Sequence, residues 1–197
     1  MELRNKCIES TYAKLDVKDY LPKSSHKYIN QPEFFEKPIP ITNEINMTAL
    51  SLGLYMLDQL EITNDSKVLE IGTGAGFYTD IIAGCTNSQV FSMEIDKDVY
   101  SKAKNVIKSK NVSLIHGDGG QGFQEGSPFD RIIAWALFPA IPCIPFTQLK
   151  RGGIIIAPIQ VREKQILFKI IKGETVGMIK LGEVIFTKAK GICGFLE

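Results

Sequence analysis

The sequence predicts an α/β protein built on a doubly wound, mostly parallel sheet of seven strands that closes in an antiparallel C-terminal hairpin. Three observations predict it. From Thr48 onward, short apolar runs alternate with segments whose apolar residues recur at helical spacing, the pattern of parallel strands joined by crossover helices. The first such run ends in three glycines at alternate positions, Gly72, Gly74 and Gly76, a turn that carries a strand into a helix beside a ligand crevice. Near the end, two long strand-like segments are split only by Lys172-Gly173-Glu174. That link is too short for a parallel crossover, which takes a dozen or more residues, and reads as a hairpin turn.

The elements follow in order. The chain reads as one domain over 1–197, with an N-terminal segment (1–47) ahead of the core (48–197). The N-terminal segment holds four prolines, Pro22, Pro32, Pro38 and Pro40, and little strand pattern. A helix over 2–16 is expected there, then short helices and a loop wrapped on the larger body. Leu50, Leu54, Leu57 and Leu60 give a helix over 48–60. Strands are expected at 67–71, 89–94, 111–116, 130–136 and 153–158, with helices at 75–84, 97–109 and 141–150, the last ended by Arg151-Gly152-Gly153. Segments 163–172 and 175–187 form the hairpin.

Composition narrows the function classes. Hydrophobic residues at 44% and charged residues at 23% are ordinary for a globular protein, and a net charge of +1 argues for neither a nucleic-acid nor an anionic-membrane partner. No run of eighteen apolar residues suggests a membrane span, and the polar start MELRNKCIES lacks the apolar centre of a signal peptide, so a cytoplasmic protein is expected. Cys7, Cys85, Cys143 and Cys193 contain no Cys-x-x-Cys pair, so no metal site is expected. Cys85 and Cys143 lie among apolar residues and read as buried thiols.

The glycines point to a ligand pressed against the backbone, because glycine permits positive φ and close approach. A dinucleotide fingerprint would need a glycine where Phe77 stands. The form found here, Gly72-Thr73-Gly74-x-Gly76 with Glu70 ahead of it, is instead that of an S-adenosylmethionine loop in Rossmann-like class I methyltransferases. Glu94, with Ile95 after it, ends the second core strand, where an acid accepts hydrogen bonds from both hydroxyls of a ribose. Gly117-Asp118-Gly119 follows the third, where an acid can accept from an adenine amino group. Plainer readings stand beside these: Glu94 suits a cap on the next helix, and Asp118 a turn with Gly119.

Longer stretches resemble the protein-L-isoaspartate O-methyltransferases over nearly the whole chain. FFEKPIPI (34–41) is similar to that family's Tyr-x-Asp-x-Pro-Leu-Pro-Ile, and VLEIGTGAGF (68–77) to its VLEIGTGSGY. GDGGQGFQEGSPFDRII (117–133) resembles GDGxxGxxxxAPYDRII, and QLKRGGIIIAPI (148–159) resembles QLKxGGxLVxPV. The resemblance implies a repair enzyme that uses S-adenosylmethionine to methylate the abnormal α-carboxylate of L-isoaspartyl residues in damaged proteins or peptides. The ester then collapses to a succinimide, part of which hydrolyses to normal aspartate.

The chain departs from the family on the acceptor side. The family's Gly-Gln-Thr-Ile-Ser is replaced by Glu44-Ile45-Asn46-Met47-Thr48, which keeps a hydroxyl at Thr48 and offers an amide at Asn46. Some archaeal members look rewritten in a similar way. The small residues after the fourth core strand become Trp135, Leu137 and Phe138, and Pro-Val-Gly becomes Pro158-Ile159-Gln160. Thr48 is therefore the expected catalytic hydroxyl, with the alternative role of N-cap to the 48–60 helix. Asn46, Trp135 and Ala136 are the expected substrate-side residues. The rewritten segment leaves open another acceptor, such as a corrinoid precursor or a transfer RNA, and a homologue that binds the cofactor without catalysis.

Overall fold

The computed structural model describes residues 3–195, so the start of the expected 2–16 helix, Glu2, lies outside the described residues. Helix α1 is shorter, Lys6–Tyr12, and begins where the Asn5 side chain accepts from the Cys7 backbone N–H. Two single-turn 3-10 helices and α2 (His26–Ile29) follow. The next segment is not the expected loop. It holds a two-stranded antiparallel ribbon, β1 (Ile39–Pro40) and β2 (Asn46–Met47), closed by a turn in which Thr42 Oγ1 accepts from the Glu44 and Ile45 N–H groups.

Helix α3 (Leu50–Leu60) leads to β3 (Val68–Ile71), α4 (Phe77–Gly84), β4 (Val90–Glu94), α5 (Lys97–Val106), β5 (Val112–His116) and β6 (Phe129–Ala134). Helix α6 (Cys143–Thr147) precedes β7 (Leu149–Val161), β8 (Lys164–Lys172) and β9 (Val176–Glu183). The main sheet has seven strands in the order β5-β4-β3-β6-β7-β8-β9. Pairings from β5 through β7 are parallel, and β7-β8 and β8-β9 are antiparallel. This is the expected doubly wound sheet. The order reverses between β3 and β6, which places the switch point at their carboxyl ends.

Alternation along single strands shows both faces to be covered. Val68 joins one hydrophobic cluster while Leu69 and Ile71 join the other, and Ile154 and Ile156 divide in the same way from Ile155 and Ala157. The Val68 face carries α1, α3 and α4 residues such as Ile8, Leu57 and Ile81.

Expectations about the segment before β7 and about the cysteines need correction. The 141–150 helix is only one turn long, and Arg151-Gly152-Gly153 does not end it but lies inside β7, because Leu149 already pairs with Phe129 of β6. Lys150 and Arg151 therefore lie on a strand, exposed, paired with Asp130 and Glu174. Cys143 is exposed rather than buried. Cys85 is buried as expected, but it is bonded to Cys7, joining α1 to the end of α4.

Candidate functional site

A cleft of about 310 Å³ opens at the carboxyl ends of the parallel strands. One side is the turn after β3. Gly72 and Gly74 hold φ of +91° and +56°, a region that L side chains rarely adopt. A Cβ built on them would make ordinary contact at 3.5 Å, with Trp135 at Gly72 and with Ile41 at Gly74, and both glycines line the cleft. Thr73 lines the same turn, and its Oγ1 is 2.6 Å from Ser92 Oγ. Gly76 has a different task. It stands at the start of α4 with φ +82°, does not line the cleft, and a Cβ there would press on Ile107 at 2.8 Å.

Glu94 ends β4 at the cleft edge, only 6% exposed. It accepts from the Gly74 N–H at 3.0 Å through Oε2 and from the Asp96 N–H at 3.0 Å through Oε1. Burial pushes its carboxyl above the ordinary value, and these backbone donors pull it down. Each oxygen keeps a lone pair for a ligand. The cap on α5 is Asp96, not Glu94: Asp96 Oδ1 accepts from the Asp98 and Val99 N–H groups. Ile95, 43% exposed, lies beside them in the cleft wall. Asp118 and Gly119 also line the cleft, while Gly117 sits behind it with its N–H on the Glu94 carbonyl. Asp118 makes the turn that its plainer reading called for, with Oδ1 accepting from the Gly120 N–H at 2.8 Å. Its Oδ2 accepts from the Ile192 N–H at 2.7 Å, a contact with no sign in the sequence.

Glu70 does not reach the cleft. It is fully buried under the glycine turn, with Oε2 accepting from Thr79 Oγ1 and Ser92 Oγ at 2.6 Å each and Oε1 from Trp135 Nε1 at 2.9 Å. Burial drives its carboxyl up to about 7 against the pull of these three donors. Its place is below the site, holding the wall rather than the ligand.

The cleft is also lined by Glu44–Thr48 and by Trp135, Ala136 and Phe138 after β6. Asn46 is exposed in β2. Thr48 is half-buried, and its hydroxyl makes no hydrogen bond to another described residue. It is not the helix cap, because α3 starts at Leu50 with Ala49 as N-cap and no side-chain cap. Its carbonyl instead accepts from Tyr78 Oη at 2.9 Å. The Tyr78 ring stacks on Trp135 with centroids 4.6 Å apart and planes at 20°. A Cβ at Gly53, in the middle of α3, would run into the same ring, which explains a glycine inside that helix. Trp135 and Ala136 both line the cleft, so the expected substrate-side residues come together there with Thr48.

The sequence reading missed Tyr78 and the C-terminal strip Thr187–Lys190, which completes the cleft. That strip is held by the loop after β6, through the Leu137 N–H to Thr187 O at 2.9 Å and the Ala189 N–H to Leu137 O at 2.8 Å. No pattern in the strip itself announces this. Among the described residues no group of three or more His, Cys, Asp and Glu is placed to hold a metal ion.

The cleft thus brings the glycine turn, Glu94 and Asp118 together at the carboxyl ends of the strands. Comparison with known proteins names the family. A family model described as protein-L-isoaspartate(D-aspartate) O-methyltransferase matches residues 3–191. The chain belongs to this family. A protein-L-isoaspartate O-methyltransferase of Methanococcus aeolicus is 28% identical over 198 residues, covering 98% of this chain and 90% of that protein. A solved structure named protein-L-isoaspartate O-methyltransferase aligns with a TM-score of 0.84 at 25% identity, over 96% of this chain. The alignment covers 63% of that longer chain, under two thirds of its length. A Plasmodium falciparum chain of the same description, in complex with S-adenosyl-L-homocysteine, shares the fold with a TM-score of 0.73 at 21% identity, over 96% of this chain and 99% of that one.

Proposed function

We infer that the protein transfers a methyl group from S-adenosylmethionine to the free α-carboxylate of L-isoaspartyl residues in damaged proteins or peptides. The observation that carries this reading is one cleft lined by a glycine turn, by the buried acid Glu94 and by Thr48, whose hydroxyl has no hydrogen-bond partner among the described residues.

The donor fits the residues present. The Gly72–Gly74 backbone leaves room for it, Glu94 would hold its ribose hydroxyls, and Asp118 stands at the far end for the adenine. Bound there, S-adenosylmethionine supplies an electrophilic methyl on a sulfonium. Glu94, Asp96 and Asp118 stand in the wall together with Lys188 and Lys190, so groups of both signs are present for a ligand that carries both.

The acceptor carboxylate is already an anion at neutral pH, since an ordinary carboxyl titrates near ~4, so no general base is required. The protein's task is to bring the oxygen into line and to exclude water; positioning of this kind can supply roughly 7–11 kcal/mol. Thr48 Oγ1 is the hydroxyl that would donate to the carboxylate, and a single donor leaves the reacting lone pair available. The stacked Tyr78–Trp135 pair forms an apolar wall beside it. Asn46 and Ala136 border the space where a peptide backbone would lie. No helix among the described residues is long and apolar enough to cross a membrane, and a cytoplasmic setting with damaged proteins as partners belongs to this reading.

The test is labelled-methyl transfer to an isoaspartyl peptide and to its normal aspartyl twin. Base-labile label in the first and none in the second is the expected result. Donor binding without transfer to the isoaspartyl peptide would point instead to another acceptor.

A further inference from the structure

The four cysteines fall into two pairs of different character. Cys7 and Cys85 are bonded, with Cys85 buried among core residues. Cys143 is exposed at the start of α6, Cys193 is half-buried in the C-terminal segment, and their sulfurs lie 2.6 Å apart. Neither sulfur serves the methyl transfer, and neither lines the cleft. Each cysteine lies a few residues beyond one of the two strips that line it. Cys143 follows the loop carrying Trp135, Ala136 and Phe138, and Cys193 follows Thr187–Lys190.

We propose that Cys143 and Cys193 are a reversible oxidation site, a dithiol that closes to a disulfide and ties the C-terminal segment across the donor end of the cleft. The co-reactant is a small disulfide such as glutathione disulfide. The exposed Cys143 thiolate attacks one of its sulfurs, forming a mixed disulfide and expelling one glutathione thiolate. Cys193 then loses its proton and attacks the Cys143 sulfur, which breaks the mixed disulfide and releases the second glutathione. Two protein thiols are oxidised by two electrons, one glutathione disulfide is reduced to two thiols, and the two protons end on these.

The consequence follows from how the segment is held. Among the described residues, the Ile192 N–H donates to Asp118 Oδ2 at 2.7 Å, and backbone bonds within residues 189–195 close short turns. Residues beyond β9 belong to no helix or strand of the sheet, and such segments open at lower cost than core strands. A covalent tie at Cys193 removes that opening, and the same segment contacts Asp118 and lines the cleft, so release of a bound donor product slows. This second part rests on the donor-binding reading of the cleft.

The reduced protein is treated with glutathione disulfide, labelled with a thiol reagent and mapped by peptide mass. Cys143 and Cys193 should be labelled before treatment, and afterwards be replaced by one cross-linked peptide. In Cys193→Ser, Cys143 should stay as the mixed disulfide with glutathione. Release of S-adenosylhomocysteine from the preloaded protein should be about tenfold slower in the oxidised form, equal to ~1.4 kcal/mol on the opening step. Cys193→Ser should show the same release rate with and without treatment. Labelling of both thiols after treatment, or equal release rates in the two forms, would overturn the proposal. If the reduced protein binds no S-adenosylhomocysteine, the donor reading fails, while the cross-linked peptide still decides the pair.

Discussion

The indole N–H of Trp135 donates to Glu70 Oε1 at 2.9 Å, tying the wall of the cleft to a carboxylate fully buried beneath the glycine turn. Trp135 is the single tryptophan of the chain, so its fluorescence reports on this wall alone. Donor and acceptor binding should each change its emission. Binding measured by calorimetry with no change in emission would remove Trp135 from the wall.

Glu70 also sets a pH dependence. Burial raises its carboxyl from 4.5 to about 7, despite the opposing pull of Ser92, Thr79 and Trp135. Below the unfolded value it is protonated in both states and costs nothing. Between the two values the folded state binds the proton more tightly, so stability falls as pH rises through that window, and the loss is complete above the folded value. Glu70→Gln should flatten this slope. Thermal midpoints of both proteins at about pH 5 and about pH 8 check it; an unchanged slope in the variant would assign the effect elsewhere.

Glu94→Ala should weaken S-adenosylmethionine binding by about 1.5–3 kcal/mol, the worth of a hydrogen bond to a charged group. Calorimetry on the folded variant measures it. Asp118→Ala should also weaken binding, but it frees the Ile192 N–H as well, so backbone exchange in the C-terminal segment should rise alongside. Glu94→Ala should leave that segment unchanged.

Thr48→Ala should lower turnover on isoaspartyl peptide by roughly 10- to 150-fold while leaving donor affinity intact, because the hydroxyl faces the acceptor side. Thr48→Ser should keep most of the activity. Stability should hold in both, since Thr48 caps no helix. A fall in thermal midpoint parallel to the loss of turnover would mark Thr48 as structural.

Tyr78→Phe keeps the stack on Trp135 but leaves the Thr48 carbonyl without its donor, whereas the Ala49 carbonyl retains the Gly53 N–H. The loss should be about 1–3 kcal/mol of stability. It should also raise KM for the peptide more than Kd for the donor, because the hydroxyl positions the acceptor segment. Equal changes in both would argue against a positioning role.

The seven-stranded sheet could be read from the chain alone, as could the place of Gly72, Gly74, Glu94 and Asp118 at its carboxyl ends. Alternating apolar periods and the short 172–174 link dictate parallel strands followed by a hairpin, and the glycines with Glu94 and Asp118 lie within a few residues of strand ends, where topology puts every ligand site. These are local signals, set by backbone sterics and side-chain period. The acceptor half was legible only at Thr48, Asn46, Trp135 and Ala136, through likeness to a family. Tertiary structure decided the rest. Glu70 looked like a ligand residue because it precedes the turn, yet the pleat points it away from the cleft, toward Thr79 and Ser92. Tyr78, the Thr187–Lys190 strip, the Asp118–Ile192 contact and both cysteine pairs join residues distant in sequence. Such contacts arise from how finished elements pack, and packing leaves no period in the chain for a sequence to display.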